Sequence, residues 1–264
     1  MAHAQDHSPH SQTTALNLGK DTVMKQAKQA VEIPRVVVTQ IDQRRLRYYA
    51  TKRCIDIVLS CAALVLLSPV LVVIALAIKL DSPGPVIFAH ERVGARLRRR
   101  GSTGAWEIRP FRFYKFRSMV HNADESLHRA HIAAYANGQV RRGPGKGGFK
   151  LTGDPRVTRV GRFLRATSLD ELPQLVNVLK GDMSLVGPRP VPTYEVEHYE
   201  PWHFERLAAL PGITGLWQVT GRCALTFDEM IALDLEYVRN QSTALDLKIL
   251  ARTVPAVLRG TGAG

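Results

Sequence analysis

Two adjacent carboxylates, Asp170 and Glu171, have the residue types and the spacing that could do chemistry. They follow Ser168 and precede an apolar run, so they stand where a helix is expected to begin. Ser168 and Glu171 also have the spacing of a capping box, in which each side chain accepts a hydrogen bond from the backbone amide at the other position. Asp170 would then lie in the first turn, where a negative charge complements the helix dipole. These residues alone therefore fit an ordinary helix start.

A phosphate-transfer site is the alternative interpretation of the same residues. Neighbouring residues on a helix point about 100° apart, so the two carboxylates would have separate roles rather than share one proton. A helix N-terminus also binds phosphate readily, and Arg162 and Arg165 lie one turn earlier. A carboxylate that attacks a phosphate needs cations to offset the repulsion. Arginines, together with a divalent metal on the neighbouring carboxylate, would supply them.

Two loops rich in turn residues each carry an arginine that could bind phosphate. The first, GPRP, contains Arg189, and the second, PGITGLWQVTGR, ends at Arg222. A rigid turn can fix a guanidinium for bidentate contact with phosphate oxygens. Ordinary connecting loops have the same composition, so neither motif alone identifies a site.

The composition indicates an anionic partner and argues against several kinds of site. The net charge is +13, and nine Arg or Lys residues with interleaved aromatic residues fall within 90–118. Such a strip could bind single-stranded nucleic acid, a membrane surface or a phosphate, and the adjacent apolar helix favours the membrane. The three cysteines form no CxxC pair, and the nine histidines have no metal-ligand spacing, so neither a disulfide framework nor a zinc site is indicated. The glycine loop at 141–148 does not fit the P-loop pattern.

An apolar run of 22 residues, 57–78, contains no charge and is long enough for a helix to cross the hydrocarbon core of a membrane. Ser68 and Pro69 interrupt its middle, and proline breaks the hydrogen bonding of a helix, so a kink is expected there. Basic residues flank both ends, and both ends therefore favour the cytoplasmic side. A helix that enters, bends and leaves by the same face satisfies both flanks. A kinked helix that crosses the membrane once is the alternative.

The remaining chain predicts a small α/β or α+β domain that is rich in helix and contains a small sheet. We expect a mobile polar tail at 1–50, the membrane helix pair at 51–80 and the functional domain at 81–264. The stretches PVIFAHERVG and WEIRPFRFYKFRSM have the pattern of strands, and DESLHRAHIAAYANG, LTFDEMIALDLEYVRN and LDLKILARTVPAVLRG have that of helices. In the last helix, five apolar residues share one face that suits the core or a membrane surface equally: Leu247, Leu250, Val254, Val257 and Leu258.

Longer motifs, taken in order, resemble the bacterial sugar transferase family, the monotopic polyprenyl-phosphate phosphoglycosyl transferases. The resemblance covers about 52–260 and rests on KRCIDIVLSCAALVLLSPV, GPVIFAHERVG, FYKFRSM, DPRVTRVGRFLRATSLDELPQLVNVLKGDMSLVGPRPV, PGITGLWQVTGR and LDLEYVRNQSTALDLKIL. The resemblance implies transfer of a sugar 1-phosphate from a UDP-sugar to undecaprenyl phosphate, with release of UMP. That reaction is the first membrane step of exopolysaccharide, O-antigen or related glycan synthesis.

The resemblance also implies roles for single residues. Asp170 is expected to point outward as the nucleophile that forms a covalent phosphosugar-aspartate, and Glu171 to bind the required Mg²⁺ more than to cap a helix. Ser68 and Pro69 are expected to break a re-entrant hairpin. Seven further residues match motifs expected to contact substrate: Arg165, Arg189, Arg222, Lys115, Arg117, Gln218 and Asp234.

The expected location follows from the same resemblance. The hairpin would lie in the bacterial inner membrane, with the catalytic domain and the N-terminal tail on the cytoplasmic side. Anionic lipids are expected as partners of the basic strip, and no nucleic acid is expected.

Overall fold

The computed structural model describes residues 36–39, 43–100, 103–140, 151, 153–221 and 225–258. Its strands are β1 Val36–Thr39, β2 Ile87–Arg100, β3 Thr103–Phe116, β4 Ser184–Val186 and β5 Gly212–Thr214. Its α-helices are α1 Gln43–Leu66, α2 Ser68–Asp81, α3 Ser126–Ala136, α4 Arg159–Thr167, α5 Gln174–Lys180, α6 Thr193–Val196, α7 Leu216–Thr220, α8 Phe227–Arg239 and α9 Thr243–Leu258. Two 3-10 segments, Leu169–Glu171 and Pro201–Leu207, lie between them.

The larger sheet has three antiparallel strands in the order β1-β3-β2. Its main part is the hairpin of β2 and β3, in which Ile87 pairs with Phe116. Side chains alternate between the two faces of a strand. Accordingly, Phe111 and Phe113 of β3 are buried, while Arg112 between them is exposed. This alternation fixes which side chains of the hairpin face the core.

The second sheet is one parallel pair, β4 and β5. A parallel pair needs a long crossover connection, and residues 187–211 provide it with α6 and the second 3-10 segment. Glycine is required where the two strands meet. A Cβ on Gly187 would lie 2.2 Å from the carbonyl oxygen of Leu210, and one on Gly212 would lie 2.1 Å from the amide nitrogen of Gly187. The GPRP loop therefore starts from a closely packed strand end.

The helices α1 and α2 bend by 63° where they meet. Pro69 stands in the first turn of α2. Proline has no backbone N–H, but in the first turn that N–H would have no helical acceptor, so no helical hydrogen bond is lost. Ser68 Oγ donates to the carbonyl oxygen of Val65 at 2.8 Å, which satisfies one of the last acceptors of α1. The chain thus changes direction at the Ser68-Pro69 pair.

Among the described residues, no individual helix combines the length and hydropathy needed to cross a membrane, although α1 and α2 do so when taken together.

The bent pair packs on one side and is apolar on the other. Ile74 and Ile78 pack with Phe116 and Leu164, which joins α2 to β3 and α4. The large apolar side chains that remain exposed on the pair are Ile57, Val58, Leu59, Val65, Leu66, Val70, Val72, Val73, Leu76 and Leu80.

A buried polar cluster fixes the first half of α1 to the C-terminal helices. Lys52 Nζ lies 2.8 Å from Asp246 Oδ2 on α9 and donates to Tyr237 Oη on α8 at 3.2 Å. Tyr48 Oη donates to the same Asp246 oxygen at 2.9 Å. Each group has a partner, as buried polar side chains require.

The prediction of a helix-rich domain with a small sheet is confirmed, and the expected strands and helices form. The predicted tail at 1–50 is wrong in its last part, because β1 forms at Val36–Thr39 and α1 begins at Gln43. The first turns of α1 are stabilised by contacts with distant residues such as Asp246, and local apolar periodicity does not indicate them. Residues 1–35 lie outside the described part of the chain.

The last helix, α9, uses a different face for the core than its sequence suggested. Ile249 is buried and Asp246 faces Lys52, whereas Leu247 and Val254 of the predicted stripe are 51% and 61% exposed. Part of the predicted apolar stripe is thus available at the surface.

Candidate active site

The carboxylate pair stands in the 3-10 segment Leu169–Glu171, directly after α4. Ser168 ends α4 in the left-handed conformation, with φ 59°, and its side chain caps no amide. The predicted capping box is therefore wrong, as is the α-helix start at the pair, because α5 begins only at Gln174. The cap in this region belongs to Thr158, whose side chain accepts from the Gly161 amide at the start of α4.

Asp170 and Glu171 meet two cations in what we call the carboxylate recess, formed by Asp170, Glu171, Lys115 and Arg189. Lys115 Nζ lies 2.9 Å from Glu171 Oε1 and 3.4 Å from Asp170 Oδ2. Both terminal nitrogens of Arg189 donate to Glu171 Oε1 at 3.1 Å. The Asp170 side chain is only 9% exposed, so the expectation that it points outward is wrong: it faces Lys115.

The strand β3 determines where Lys115 lies. Lys115 shares a strand face with Phe113, and its ammonium lies 5.6 Å from the centroid of that ring. Phe113 is buried and belongs to a cluster with Val178 of α5 and Met183. Because the same face of β3 is anchored in the core, the ammonium is held at the carboxylates instead of extending into solvent.

Buried groups hold the loop that carries Arg189. Arg206 donates to the carbonyl oxygen of Arg189 at 3.3 Å and forms an ion pair with Asp234. Arg206 and Asp234 are both almost fully buried. Burial raises the pKa of the Asp234 carboxyl, and the Arg206 guanidinium acts in the opposite direction. In the structure this carboxylate holds Arg206 and Arg206 holds the loop, while the substrate contact of Asp234 stays a prediction.

Arg117, another predicted contact, binds backbone carbonyl groups in the structure, and its contact with substrate stays a prediction. Its guanidinium donates to the carbonyl oxygens of Ile78, Ser82 and Pro83 at 3.3, 2.6 and 2.8 Å. Ile78 is in the last turn of α2, and Ser82 and Pro83 directly follow the helix. Arg117 thus ties α2 to the end of β3, and the structure gives it no contact with the carboxylates among the described residues.

Three further residues were predicted to contact substrate: Gln218, Arg165 and Arg222. Gln218 Nε2 donates to the carbonyl oxygen of Ile213 at 3.1 Å, which places the side chain between β5 and α7. Arg165 is half-buried on α4, and no residue in the described part of the chain forms a hydrogen bond or ion pair with its guanidinium. Arg222 lies outside the described residues.

The carboxylates of the recess suit Mg²⁺ that is completed by substrate and water, rather than a metal whose ligands all come from the protein. Within the described ranges, no group of three or more His, Cys, Asp or Glu side chains converges on a point. Mg²⁺ prefers oxygen ligands and is commonly held by one or two carboxylates together with substrate phosphates and water. Asp170 and Glu171 provide two such carboxylates side by side in the recess.

Sequence reasoning missed two residues that position the site, Arg206 and Asp56. Asp56 Oδ1 on α1 accepts from Ser184 Oγ at 3.0 Å and from the Leu185 amide at 2.9 Å. Asp56 thereby holds β4, the strand that leads into the GPRP loop. A charged residue at the edge of an apolar run was the signal for Asp56, and Arg206 had none.

Comparison with known proteins places the chain among sugar transferases. A family model described as bacterial sugar transferase matches residues 47–260. An undecaprenyl-phosphate galactose phosphotransferase of Salmonella typhimurium is 46% identical over 212 residues, which is 80% of this chain and 41% of that protein. The exopolysaccharide production protein ExoY of Rhizobium meliloti is 37% identical over 242 residues, 90% of this chain and 99% of that protein.

A third relative has a more explicit name. The UDP-glucose:undecaprenyl-phosphate glucose-1-phosphate transferase of Caulobacter vibrioides is 40% identical over 251 residues, 92% of this chain and 79% of that protein. Several relatives are longer: the chain spans 41% of the Salmonella protein and 51% of a galactosyl transferase of Streptococcus agalactiae. The family match nevertheless extends from α1 to α9, and the chain belongs to the bacterial sugar transferase family.

Proposed function

We propose that the chain transfers a sugar 1-phosphate from a UDP-sugar to undecaprenyl phosphate through a covalent intermediate on Asp170, with release of UMP. The observation that carries this proposal is the carboxylate recess, where the buried Asp170 lies beside Glu171 and both contact Lys115. The substrate class comes from relatives whose names specify undecaprenyl phosphate and UDP-glucose.

In the first step, a carboxylate oxygen of Asp170 attacks the β-phosphorus of the donor. A bond forms between that oxygen and phosphorus, the bond to the bridging oxygen breaks, and UMP leaves with the bonding electron pair. Lys115 and Arg189 supply positive charge where negative charge accumulates on the phosphate oxygens. The enzyme then carries the sugar 1-phosphate as an acyl phosphate.

In the second step, a phosphate oxygen of undecaprenyl phosphate attacks the same phosphorus. The bond between phosphorus and Asp170 breaks, which restores the carboxylate and yields the lipid-linked sugar diphosphate. Two displacements through a covalent intermediate predict ping-pong kinetics.

Glu171, with Asp170 beside it, would hold Mg²⁺ together with the donor diphosphate. The ion would neutralise phosphate charge and so favour attack by a carboxylate. Lys115 and Arg189 both contact Glu171 Oε1 and keep this carboxylate in one orientation.

We also propose that α1 and α2 enter the cytoplasmic membrane as a re-entrant hairpin. The exposed apolar side of the bent pair, its break at Ser68 and Pro69, and the basic residues at both of its ends support this arrangement. A lipid phosphate at the surface of the same leaflet would then be within reach of a domain that packs on the pair. Anionic lipids would contact the basic strip.

The test of the chemistry uses the full-length protein in detergent with radiolabelled UDP-galactose or UDP-glucose and Mg²⁺, without acceptor. We expect release of about one UMP per active site and a labelled sugar phosphate that peptide mapping assigns to Asp170. Asp170→Asn should form no adduct and lose at least about a thousandfold in turnover. Asp228→Asn is the matched control, because Asp228 has the same position in a similar motif but is exposed.

Two results would contradict the proposal. One is lipid product formed by Asp170→Asn at a rate within tenfold of the parent. The other is UMP release that requires undecaprenyl phosphate from the first turnover, which would indicate direct transfer without a covalent intermediate.

A further inference from the structure

Arg92, on β2, shares its strand face with Lys115. The register pairs Arg92 with Phe111 and Phe88 with Lys115, and cross-strand partners point to the same side of the sheet. The Arg92 guanidinium carbon lies 5.2 Å from the centroid of Phe113, the ring that Lys115 also approaches. Two cations from neighbouring strands therefore contact one buried aromatic ring next to the carboxylate recess.

Among the described residues, the Arg92 guanidinium forms no ion pair with a carboxylate. Its one side-chain hydrogen bond in that part of the chain is to the carbonyl oxygen of Pro190, at a long 3.4 Å, and its Nε is buried without a partner. Burial and the nearby Arg189 lower the pKa of the Arg92 guanidinium to about 10, so it is still charged at neutral pH. A half-buried charge without a hydrogen-bonded counterion is unfavourable, and an anion that enters the site would relieve that cost.

The backbone connects Arg92 to the loop of Arg189. The amide of Val93 donates to the carbonyl oxygen of Val191 at 2.8 Å, which holds β2 against the chain just after the GPRP loop. Arg189 repels Arg92 and Glu171 attracts it, so the three groups lie within electrostatic range of each other. Glu195 attracts it too, but this buried carboxylate has its own cation in Arg206, 3.7 Å away.

The balance of charge around the carboxylate recess favours the binding of an anion. Lys115 and Arg189 form ion pairs with the two carboxylates of the recess, and Arg92 adds a third positive charge within electrostatic range of Glu171. Arginine binds phosphate with two parallel hydrogen bonds and is suited to a fixed position beside an aromatic ring.

We propose that Arg92 binds a phosphate oxygen of a substrate in the recess, an assignment that rests on the proposed function. The phosphate could belong to the diphosphate of the donor or to the undecaprenyl phosphate acceptor. Both sources present phosphate oxygens to Arg92. A donor contact would affect the donor half-reaction, and an acceptor contact would affect the acceptor half-reaction.

The experiment compares Arg92→Gln and Arg92→Lys in the full-length protein in detergent, with UDP-galactose and undecaprenyl phosphate as probes. Arg239→Gln is the matched control, since Arg239 lies on α8, outside the basic strip, and pairs with Glu205 while 61% exposed. UMP release without acceptor reports the donor half-reaction. Discharge of the preformed adduct by undecaprenyl phosphate reports the acceptor half-reaction.

We expect Arg92→Gln to lower kcat/KM about 30- to 100-fold in one half-reaction, as loss of a charged phosphate contact does. Most of the loss should lie in KM for the probe that carries the phosphate. Arg92→Lys should recover part of it, because the charge stays while the paired hydrogen bonds are lost. Arg239→Gln should remain within about twofold of the parent, because it removes only an exposed ion pair.

The assignment is overturned if both half-reactions of Arg92→Gln stay within threefold of the parent. It is also overturned if the variant loses active sites, measured as the amplitude of the UMP burst, while KM is unchanged, because that pattern indicates a purely structural role. If Arg92→Gln does not fold, Arg92→Lys decides the question: unchanged KM for both probes would refute the assignment. A parent protein that releases no UMP would instead refute the proposed function itself.

Discussion

The chain contains the same four-residue pattern twice, with different outcomes. Ser168-Leu-Asp-Glu171 and Thr226-Phe-Asp-Glu229 both place a hydroxyl residue three positions before a glutamate, with an aspartate between them. At Thr226 the capping box forms: the Thr226 hydroxyl accepts from the Glu229 amide at 3.1 Å, and the Thr226 amide donates to the Glu229 carboxylate at 2.7 Å. At Ser168 neither contact forms.

The two motifs differ both in backbone conformation and in the exposure of their aspartates. Thr226 is extended, with φ −72° and ψ 170°, as an N-cap requires, while Ser168 is left-handed. Asp228 is 71% exposed at the start of α8, whereas Asp170 is 9% exposed beside Lys115. The same local signature therefore makes a helix start in one place and a carboxylate pair held by cations in the other.

Cations from distant segments decide whether the motif forms a capping box. A cap contributes about 1 kcal/mol, and a hydrogen bond to a charged group about 1.5–3 kcal/mol. Glu171 has such bonds to Lys115 on β3 and to Arg189 in the GPRP loop. These contacts together outweigh the cap that the local sequence offers.

The largest expected difference between the two motifs is in catalysis. Glu171→Gln should lower turnover about a hundredfold or more and weaken the dependence on Mg²⁺, because one negative charge leaves the recess. Glu229→Gln should leave turnover within twofold, since glutamine also completes a capping box. Steady-state UMP release across a Mg²⁺ titration measures both. Equal losses in the two variants would contradict the distinction.

The next effect is on stability. Thr226→Ala should lower the free energy of unfolding by about 1 kcal/mol through loss of the cap on α8. Thermal unfolding in detergent should show a decrease of about 2–4 °C for a chain of this size. Turnover at low temperature should persist. An unchanged unfolding temperature would mean that the cap on α8 contributes nothing to stability.

A substitution at Ser168 should act in the opposite direction. Ser168→Gly relieves the left-handed conformation of an L-residue, and after the entropy of glycine is subtracted we expect a gain of about 0.5 kcal/mol. The same thermal measurement tests it, with Thr226→Gly as the comparison, where a small loss is expected. Destabilisation by Ser168→Gly would show that the Ser168 side chain contributes something the contacts do not indicate.

The smallest effect concerns His203, whose Nε2 lies 3.5 Å from Asp228 Oδ1. Burial lowers the pKa of His203, and Asp228 partly offsets this. A histidine with a lowered folded pKa contributes stability that is present above about pH 6.5 and is lost as the pH falls below that value. Asp228→Asn should lower the pKa of His203 further, because it removes the negative charge that partly offsets burial. An NMR titration of the imidazole measures it, and a raised pKa would contradict the expected direction.

Much of the fold follows from local sequence, and much of the site does not. The break at Ser68-Pro69 and the alternation along β3 can be seen in the residue order because proline and pleating act locally. The identity of Asp170 and Glu171 as an unusual pair also came from a contiguous motif.

The failures all involve partners that are far apart in sequence. The ion pair of Asp234 with Arg206 was missed because no local pattern indicates this buried partner. The start of α1 was missed because Lys52 and Tyr48 contact Asp246 almost two hundred residues later. The left-handed Ser168 was missed because capping-box rules describe a segment without its neighbours. No local pattern encodes these three-dimensional pairings.

The hydrogen bonds from Ser184 and Leu185 to Asp56 have a mechanical consequence. In a bilayer, a change of thickness or lateral pressure that tilts α1 would be transmitted to β4 and from there to the arginine of the GPRP loop. The apolar helix pair accordingly supports the domain that carries the recess, in addition to the membrane attachment proposed for it. Cutting it away at residue 81 would remove partners of buried amides and hydroxyls, so truncation would not yield a water-soluble enzyme with an intact substrate loop.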